Sequence, residues 1–322
     1  MKPYRCAVVG VGYLGRFHAQ KYAQLPDAEL VAVVDTDASR AEAVAAEFPG
    51  CRALRSIEAL HETVDAVSIA VPTQLHFATA KPFLERGVHV LLEKPMTVTV
   101  NEAKILNQVA TDTGAVFQIG HLERFNPAFL AFSEHPTNPV FIESHRLAPY
   151  TPRGADVNVV LDLMIHDVDI ILHMVASEIA SVAASGAKIL SPSLDIVNAR
   201  IEFENGCVAN VTASRVSRKT ERKMRIFSDK AYYTIDFHGR RLGCYRLGDA
   251  EQHPGIPEII GQERAFEQAD AIKMEIAAFL SAIRGDSKVP VSGLDGQRAL
   301  EAAILITERV RQRPSSQNYF KT

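Results

Sequence analysis

The sequence predicts a mixed α/β protein in two parts, a doubly wound parallel sheet followed by a domain built on an antiparallel sheet. Two observations carry this. Up to residue 120, short apolar runs alternate with amphipathic helical stretches, the pattern of βαβ units. Beyond it, one strongly apolar helix precedes a succession of β-type runs parted by turn signals such as Glu204-Asn205-Gly206. The division is placed between a first domain, 1–120, and a second, 121–322, with the closing helix free to pack back on the first.

The chain opens on an apolar strand, Tyr4–Val9, which runs into Gly10-Val11-Gly12-Tyr13-Leu14-Gly15 and then a helix. A second strand, Leu30–Val34, ends on Asp35. Each part has a physical task in holding a dinucleotide. Gly10 permits a tight turn, Gly12 admits the pyrophosphate, and Gly15 lets helix and strand approach. Tyr13 and Leu14 open the helix, whose N-terminal N–H groups and dipole favour an anion. Asp35, about twenty residues beyond the last glycine, is placed to accept hydrogen bonds from the adenosine ribose. This is a Rossmann arrangement. Thr36 rather than a base follows Asp35, and a carboxylate there repels a 2′-phosphate, so NAD is favoured over NADP, with Arg40 the nearby exception.

The alternation continues with a helix at Ala38–Glu47, a strand at Ala66–Val71 and a helix at Leu75–Arg86. Then come a strand at Val88–Leu92, a helix at Val100–Thr113 and a strand at Ala115–Ile119. In such sheets the ligand lies beyond the carboxyl ends of the strands. That singles out Pro72, Thr73 and His76, then Glu93-Lys94-Pro95, then Gly120-His121. In the second part the apolar helix spans Val159–Ala176. Strands follow at Ile179–Ala187, Ile196–Phe203, Cys207–Ser214, Met224–Ser228 and Tyr232–Phe237. Helices at Ala269–Arg284 and Leu294–Val310 come before a loose polar end, Gln312–Thr322.

Composition narrows the function class. The 322 residues are 47% hydrophobic and 23% charged with net charge −3, values ordinary for a globular protein and without a general pull toward nucleic acid or an anionic membrane. No apolar run has the length of a membrane span, and the opening strand leaves no room for a signal peptide. The four cysteines, Cys6, Cys51, Cys207 and Cys244, are scattered and read as reduced thiols. A cytoplasmic enzyme is expected, and no motif has metal-ligand spacing.

The chemistry concentrates in three places. Lys94, after a strand on the ligand-facing edge, is placed to donate to a substrate oxygen, and burial would tune it for proton transfer near neutrality. Pro95 restricts it to an extended conformation. On the apolar helix, Asp162, His166, Asp169 and His173 recur at helical spacing and share one face. Such groups need partners or a cavity. Asp167 lies off that stripe and is expected to face solvent or another subunit. At the junction, Arg124 either clamps an anionic substrate or bridges the domains, and Arg146 and Arg153 in the following loop invite the same two readings. The basic stretch from Arg215 to Arg225 reads as a solvated hairpin, or as a face toward a diphosphate or a neighbouring subunit. Thr73 suits an N-cap. His76 either stacks near the nicotinamide or supports its loop, and His18 is structural.

Gly10–Gly15, Glu93-Lys94-Pro95 and the Asp162-x-x-x-His166 helix, in that order, resemble the glucose-fructose oxidoreductase and inositol dehydrogenase (Gfo/Idh/MocA) family over essentially the whole chain. The resemblance implies a Rossmann domain joined to an α/β domain with an open-faced, mostly antiparallel sheet, often used for homodimer or homotetramer contacts. It implies hydride transfer at a sugar or polyol carbon, with Lys94 and His166 as the acid–base pair and Asp162 contacting the substrate. The stretches Gly120–Pro127, Val159–Asp169 and Cys207–Ser217 resemble the branch of that family acting on UDP-N-acetylglucosamine. That branch makes a 3-keto sugar nucleotide, which a separate aminotransferase converts on the way to lipid A precursors. Many relatives carry a glycine pair ahead of the aspartate, where this chain has Asn158-Val159-Val160. The competing readings are a polyol or free-sugar dehydrogenase and, from another class, a non-catalytic NAD-sensing module.

Overall fold

Near-continuous apolar runs in the first part become short parallel strands buried on both faces, as crossover helices require. A computed structural model describes residues 2–60, 64–135, 137–151 and 157–312; Arg153 and the polar end beyond Gln312 lie outside the described residues. The strands are β1 (Tyr4–Val9), β2 (Ala28–Val34), β3 (Arg52–Leu54), β4 (Ala66–Ile69), β5 (His89–Glu93) and β6 (Phe117–Gly120). They lie in the order β3-β2-β1-β4-β5-β6, every neighbour parallel. The order reverses at β1, and open α/β sheets bind ligands beyond the strand ends at such a switch point.

The helices are α1 (Tyr13–Tyr22), α2 (Ala38–Ala45), α3 (His76–Leu84) and α4 (Val100–Thr113). Their ends follow from local chemistry. Asp37 caps α2 by accepting from the Arg40 N–H, and α4 has a full Thr99/Glu102 capping box and stops at Gly114 in the left-handed region.

The second part begins with α5 (Pro127–Ser133) and β7 (Pro139–Leu147). A helix then winds as a π turn over Val160–Met164 and as α6 over Ile165–Val175. Next come β8 (Ile179–Ala187), β9 (Ile196–Phe203), β10 (Val208–Ser214), β11 (Glu221–Ser228), β12 (Ala231–Asp236), β13 (Arg241–His253) and β14 (Ile256–Ala265). They form one sheet, β14-β13-β12-β11-β7-β10-β9-β8, parallel only at β7/β10. One face is apolar: Val197, Ala199, Ile201, Val211 and Ile226 join Val168 and Ile171 of α6 in a single core. On the other face Asn198, Arg200, Lys223 and Arg225 are exposed, so the sheet is open-faced and mostly antiparallel, as the resemblance implies.

The chain closes with α7 (Ala271–Arg284) and α8 (Gly293–Gln312). Two compact units emerge, 1–125 with 270–297 and 126–269 with 298–322, and the division falls within α8. In the first unit Ile276, Phe279 and Leu280 of α7 pack with Cys6, Val8, Ala19 and Tyr22. Among the described residues no helix is long and apolar enough to cross a membrane.

Candidate active site

In the first unit, β1 ends at Gly10 with φ +83°, where a Cβ would sit 2.8 Å from the Ala70 carbonyl oxygen. A Cβ on Gly15 would run into the carbonyl oxygen of Gly10, while one on Gly12 would meet only open space. Helix α1 starts at Tyr13 with Gly12 as its N-cap, with no side-chain cap bond and no acid in the first turn. Its positive end is therefore left for an external anion. Tyr13 is exposed and stands edge-on to Phe17, and Leu14 is half-buried.

Asp35, buried after β2, accepts from the Val11 N–H at 3.1 Å and the Asp37 N–H at 3.0 Å. It thus joins the glycine loop to the start of α2. The Arg40 guanidinium reaches both Asp35 oxygens at 3.3 Å and Asp37 Oδ2 at 3.2 Å.

After β4, Pro72 is exposed and Thr73 opens a 3₁₀ turn, Thr73–Leu75. Thr73 does not cap α3; Leu75 holds that position without a side-chain bond, because the 3₁₀ turn intervenes. His76 is buried, with Nδ1 2.8 Å from the Pro95 carbonyl and Nε2 2.9 Å from the Val71 carbonyl. It ties the loop after β4 to the loop after β5, which bears half-buried Lys94 and a cis Lys94–Pro95 peptide. Burial lowers the His76 pKa, against the pull of both carbonyls and of Glu93. Glu93, the last residue of β5, lies 3.0 Å from His18 Nε2. Arg124 is buried in the 3₁₀ turn Leu122–Phe125.

In the second unit Asn158 acts as a cap. Its Oδ1 accepts from the N–H groups of Val160 at 2.9 Å and Leu161 at 3.1 Å, starting the helix that carries Asp162 and His166. Both are half-buried, Asp169 is buried and His173 is exposed, so the polar stripe passes from interior to surface along its length. A π turn there adds a residue to the winding, a feature frequent at functional sites.

Asp167 departs from the expectation of a surface position. It is buried and accepts from Arg146 Nε at 2.7 Å and NH2 at 3.0 Å, and that guanidinium lies 5.8 Å from the Phe237 ring centre. Arg146 stands on β7 rather than in a loop; the buried pair fixes α6 to the sheet. Arg215 is likewise no part of a solvent-facing patch. It is buried on Asp195 (Nε–Oδ1 2.9 Å), with further bonds to the Val157 carbonyl and the Ser191 and Ser193 hydroxyls. Arg218, Lys219, Arg222, Lys223 and Arg225 are exposed.

Comparison with known proteins adds to this geometry. Residues 4–121 match the oxidoreductase family with an NAD-binding Rossmann fold, and residues 129–234 match the GFO/IDH/MocA C-terminal domain. The chain is 42% identical over 303 residues to a UDP-N-acetylglucosamine 3-dehydrogenase of Acidithiobacillus ferrooxidans, covering 94% of this chain and 96% of the relative. The chain belongs to the GFO/IDH/MocA oxidoreductase family. A solved structure of the Acidithiobacillus enzyme shares the fold at TM-score 0.91 and 41% identity, covering 97% of this chain and 100% of that one. A scyllo-inositol 2-dehydrogenase (NAD(+)) of Bacillus subtilis is 31% identical over 232 residues, 66% of this chain and 68% of the relative. The Lactobacillus casei scyllo-inositol dehydrogenase solved with NAD(H) and scyllo-inositol shares the fold at TM-score 0.78 and 21% identity, covering 97% of this chain and 98% of that one.

The residues of this GFO/IDH/MocA oxidoreductase fit NAD. The space a Cβ on Gly12 would enter is open, the N-terminus of α1 has no side-chain cap, and Asp35 stands at the end of β2 with its carboxylate fixed. A pyrophosphate fits the first two and ribose hydroxyls the third. Sequence spacing missed the Asn158 cap, which polar–apolar patterning before a helix could have found. It also missed a buried meeting of His18, Glu93 and Glu275, whose ligand atoms lie within 4.8 Å of one another. Residues so far apart in the chain leave no local signal.

Proposed function

We propose that the protein oxidises a hydroxyl-bearing carbon of a sugar nucleotide, C3 of UDP-N-acetylglucosamine, to a ketone with reduction of NAD⁺. The observation that carries this reading is the 42% identity, sustained over 94% of the chain, to an enzyme of that name. NAD, held by Gly10, Gly12, Tyr13, Leu14, Gly15 and Asp35 with Pro72, Thr73, His76 and Glu93 shaping the strand ends, supplies the hydride acceptor. Lys94 donates a hydrogen bond to the reacting oxygen and stabilises the negative charge that develops there. Lys94 or His166 takes the hydroxyl proton, and Asp162 contacts the sugar and orients His166. Arg124 and Arg153 serve the diphosphate through charge-assisted hydrogen bonds. The keto product is the substrate of an aminotransferase in amino-sugar synthesis for lipid A. The protein works in the cytoplasm as a homodimer or homotetramer.

NADH production measured with UDP-N-acetylglucosamine, inositol and glucose tests the substrate. The sugar nucleotide is expected to be turned over fastest. Preference for inositol would move the assignment to a polyol dehydrogenase, a reading favoured by the 31% identity to the scyllo-inositol enzyme. Binding of NADH with no turnover on any of the three would favour a sensing module. Lys94→Met is expected to cut kcat about 100- to 10,000-fold while NADH still binds; near-normal kcat would remove Lys94 from the chemistry.

A further inference from the structure

One cluster of buried titratable groups includes two, His18 and Glu275, with no task in the reaction just described. His18 on α1, Glu93 at the end of β5 and Glu275 on α7 bring their ligand atoms within 4.8 Å of one another. His18 and Glu275 are each 1% exposed and Glu93 9%. His18 Nε2 stands 3.0 Å from Glu93 Oε1, while His18 Nδ1 and Glu275 Oε1 have no hydrogen-bond partner among the described residues. Glycine at the end of β6 leaves the room: a Cβ on Gly120 would lie 2.9 Å from the Glu93 carboxyl.

Two carboxylates this close and out of water do not both ionise, because each charge is costly to desolvate and the two repel. Glu93 has His18 Nε2 as a partner at 3.0 Å. Glu275 has no such partner among the described residues, and burial first, then the Glu93 charge, push its pKa well above the usual carboxylate range. The titratable groups around the cluster are Tyr22 on α1, Cys6 on β1, His76 beyond Glu93, and Glu123 and Arg124 on the turn packed against α7. Tyr22 is bonded to Ser68 at 2.9 Å, and Lys21 is taken by Asp270 at 2.8 Å. The residue after Glu93 is Lys94.

We propose that Glu275 is a positioning residue: as a neutral neighbour it leaves the contact between Glu93 and His18 undisturbed, and that contact fixes the strand end that presents Lys94. This rests on the reading of Lys94 as the group that meets cofactor and substrate. When Glu275 releases its proton to solvent at high pH, a second negative charge enters a closed space and displaces Glu93, and Lys94 with it.

The test compares the full chain with Glu275→Gln, which keeps the shape and fixes the neutral state, from about pH 6 to about pH 10. Melting temperature, NADH affinity and the pH profile of kcat are measured. A carboxyl whose folded pKa is raised stabilises fully below its unfolded value, and that contribution is lost as pH rises through the folded one. The melting temperature of the native chain should therefore fall relative to the variant as pH rises. The alkaline limbs of NADH affinity and kcat should move up in the variant by about one pH unit or more. Parallel melting curves would overturn the retained proton. Diverging melting curves with superimposed NADH-affinity and kcat profiles would overturn the positioning. If no sugar is turned over, the proposed reaction fails, while the melting and NADH curves still decide for or against the cluster. Should Glu275→Gln not fold, Glu93→Gln decides through the same three readouts: with the neighbouring carboxylate gone, ionisation of Glu275 no longer sets two charges against each other, so the alkaline losses of NADH affinity and kcat seen in the native chain should flatten, while the alkaline fall in melting temperature should begin at lower pH. An unchanged set of curves in that variant would overturn the proposal.

Discussion

Asp35 does two tasks with one carboxylate. Its bonds from the Val11 and Asp37 N–H groups hold the glycine loop to the start of α2, and its charge engages Arg40, the nearby group able to meet a 2′-phosphate. Arg40 is held from two sides, by Asp35 and by Asp37. Asp35→Ser should therefore weaken NAD use and release Arg40 for NADP. Losing hydrogen bonds to a charged group costs about 1.5–3 kcal/mol, a roughly 10- to 100-fold fall in kcat/KM for NAD, with NADP use rising. Initial rates with the two cofactors measure it, and an unchanged NAD:NADP ratio would remove Asp35 from cofactor choice. The position of Asp35 was readable because glycine loop, strand and acid follow one another in the chain. The grip on Arg40 was not, since any nearby carboxylate serves equally in a sequence. His18, read as structural, is buried, and its partner Glu93 lies 75 residues further along the chain.

At the scale of elements, pattern served where burial is one-sided or complete. The helix carrying Asp162 and His166 stood out by its apolar run, and β9 by strict alternation. The strands β3, β7, β13 and β14 were missed. β7 mixes Glu143, His145 and Arg146 into its alternation, and β14 is exposed throughout, held by pairing with β13 rather than by a buried face. The anchors between elements were equally hidden. Asp195 collects the N–H groups of Ile189, Leu190 and Ser191 at 2.7–2.9 Å together with Arg215, so it closes the turn between β8 and β9 onto the end of β10. Burial raises its pKa, but the Ser191 hydroxyl, those N–H groups and Arg215 outweigh burial and hold it well below the carboxylate range. Its contribution is present above the unfolded value near about pH 4 and is lost as pH falls through the lower folded one. Asp195→Asn should destabilise the chain by about 3–5 kcal/mol at neutral pH, because it leaves Arg215 buried without its countercharge. It should also flatten the acid limb of stability. Urea denaturation between about pH 3 and about pH 7 checks both; a cost that does not change with pH would mean Asp195 is not the carboxylate that titrates.

For the whole molecule, the consequential feature is that the first unit is discontinuous. Residues 270–297 return to complete it, and Ile276, Phe279 and Leu280 of α7 fill the core formed by Cys6, Val8, Ala19 and Tyr22. The apolar face of α7 was readable, but a helix stripe says only that it is covered, not by which part of a chain 322 residues long. The energetics make the returning segment necessary. Burying three such side chains is worth roughly 5–9 kcal/mol, comparable with the whole net stability of a domain, about 5–15 kcal/mol. A fragment ending at Phe125 would lose that and would also expose the His18–Glu93 pair where Glu275 now covers it. Residues 1–125 alone should therefore lack a cooperative thermal transition and fail to bind NADH, despite holding the entire glycine loop and Asp35. The same fragment joined by a Gly/Ser linker to 270–297 should recover both. Circular dichroism melting and NADH fluorescence distinguish the two, and cooperative melting of the shorter fragment would show that the parallel sheet and its own helices suffice without α7.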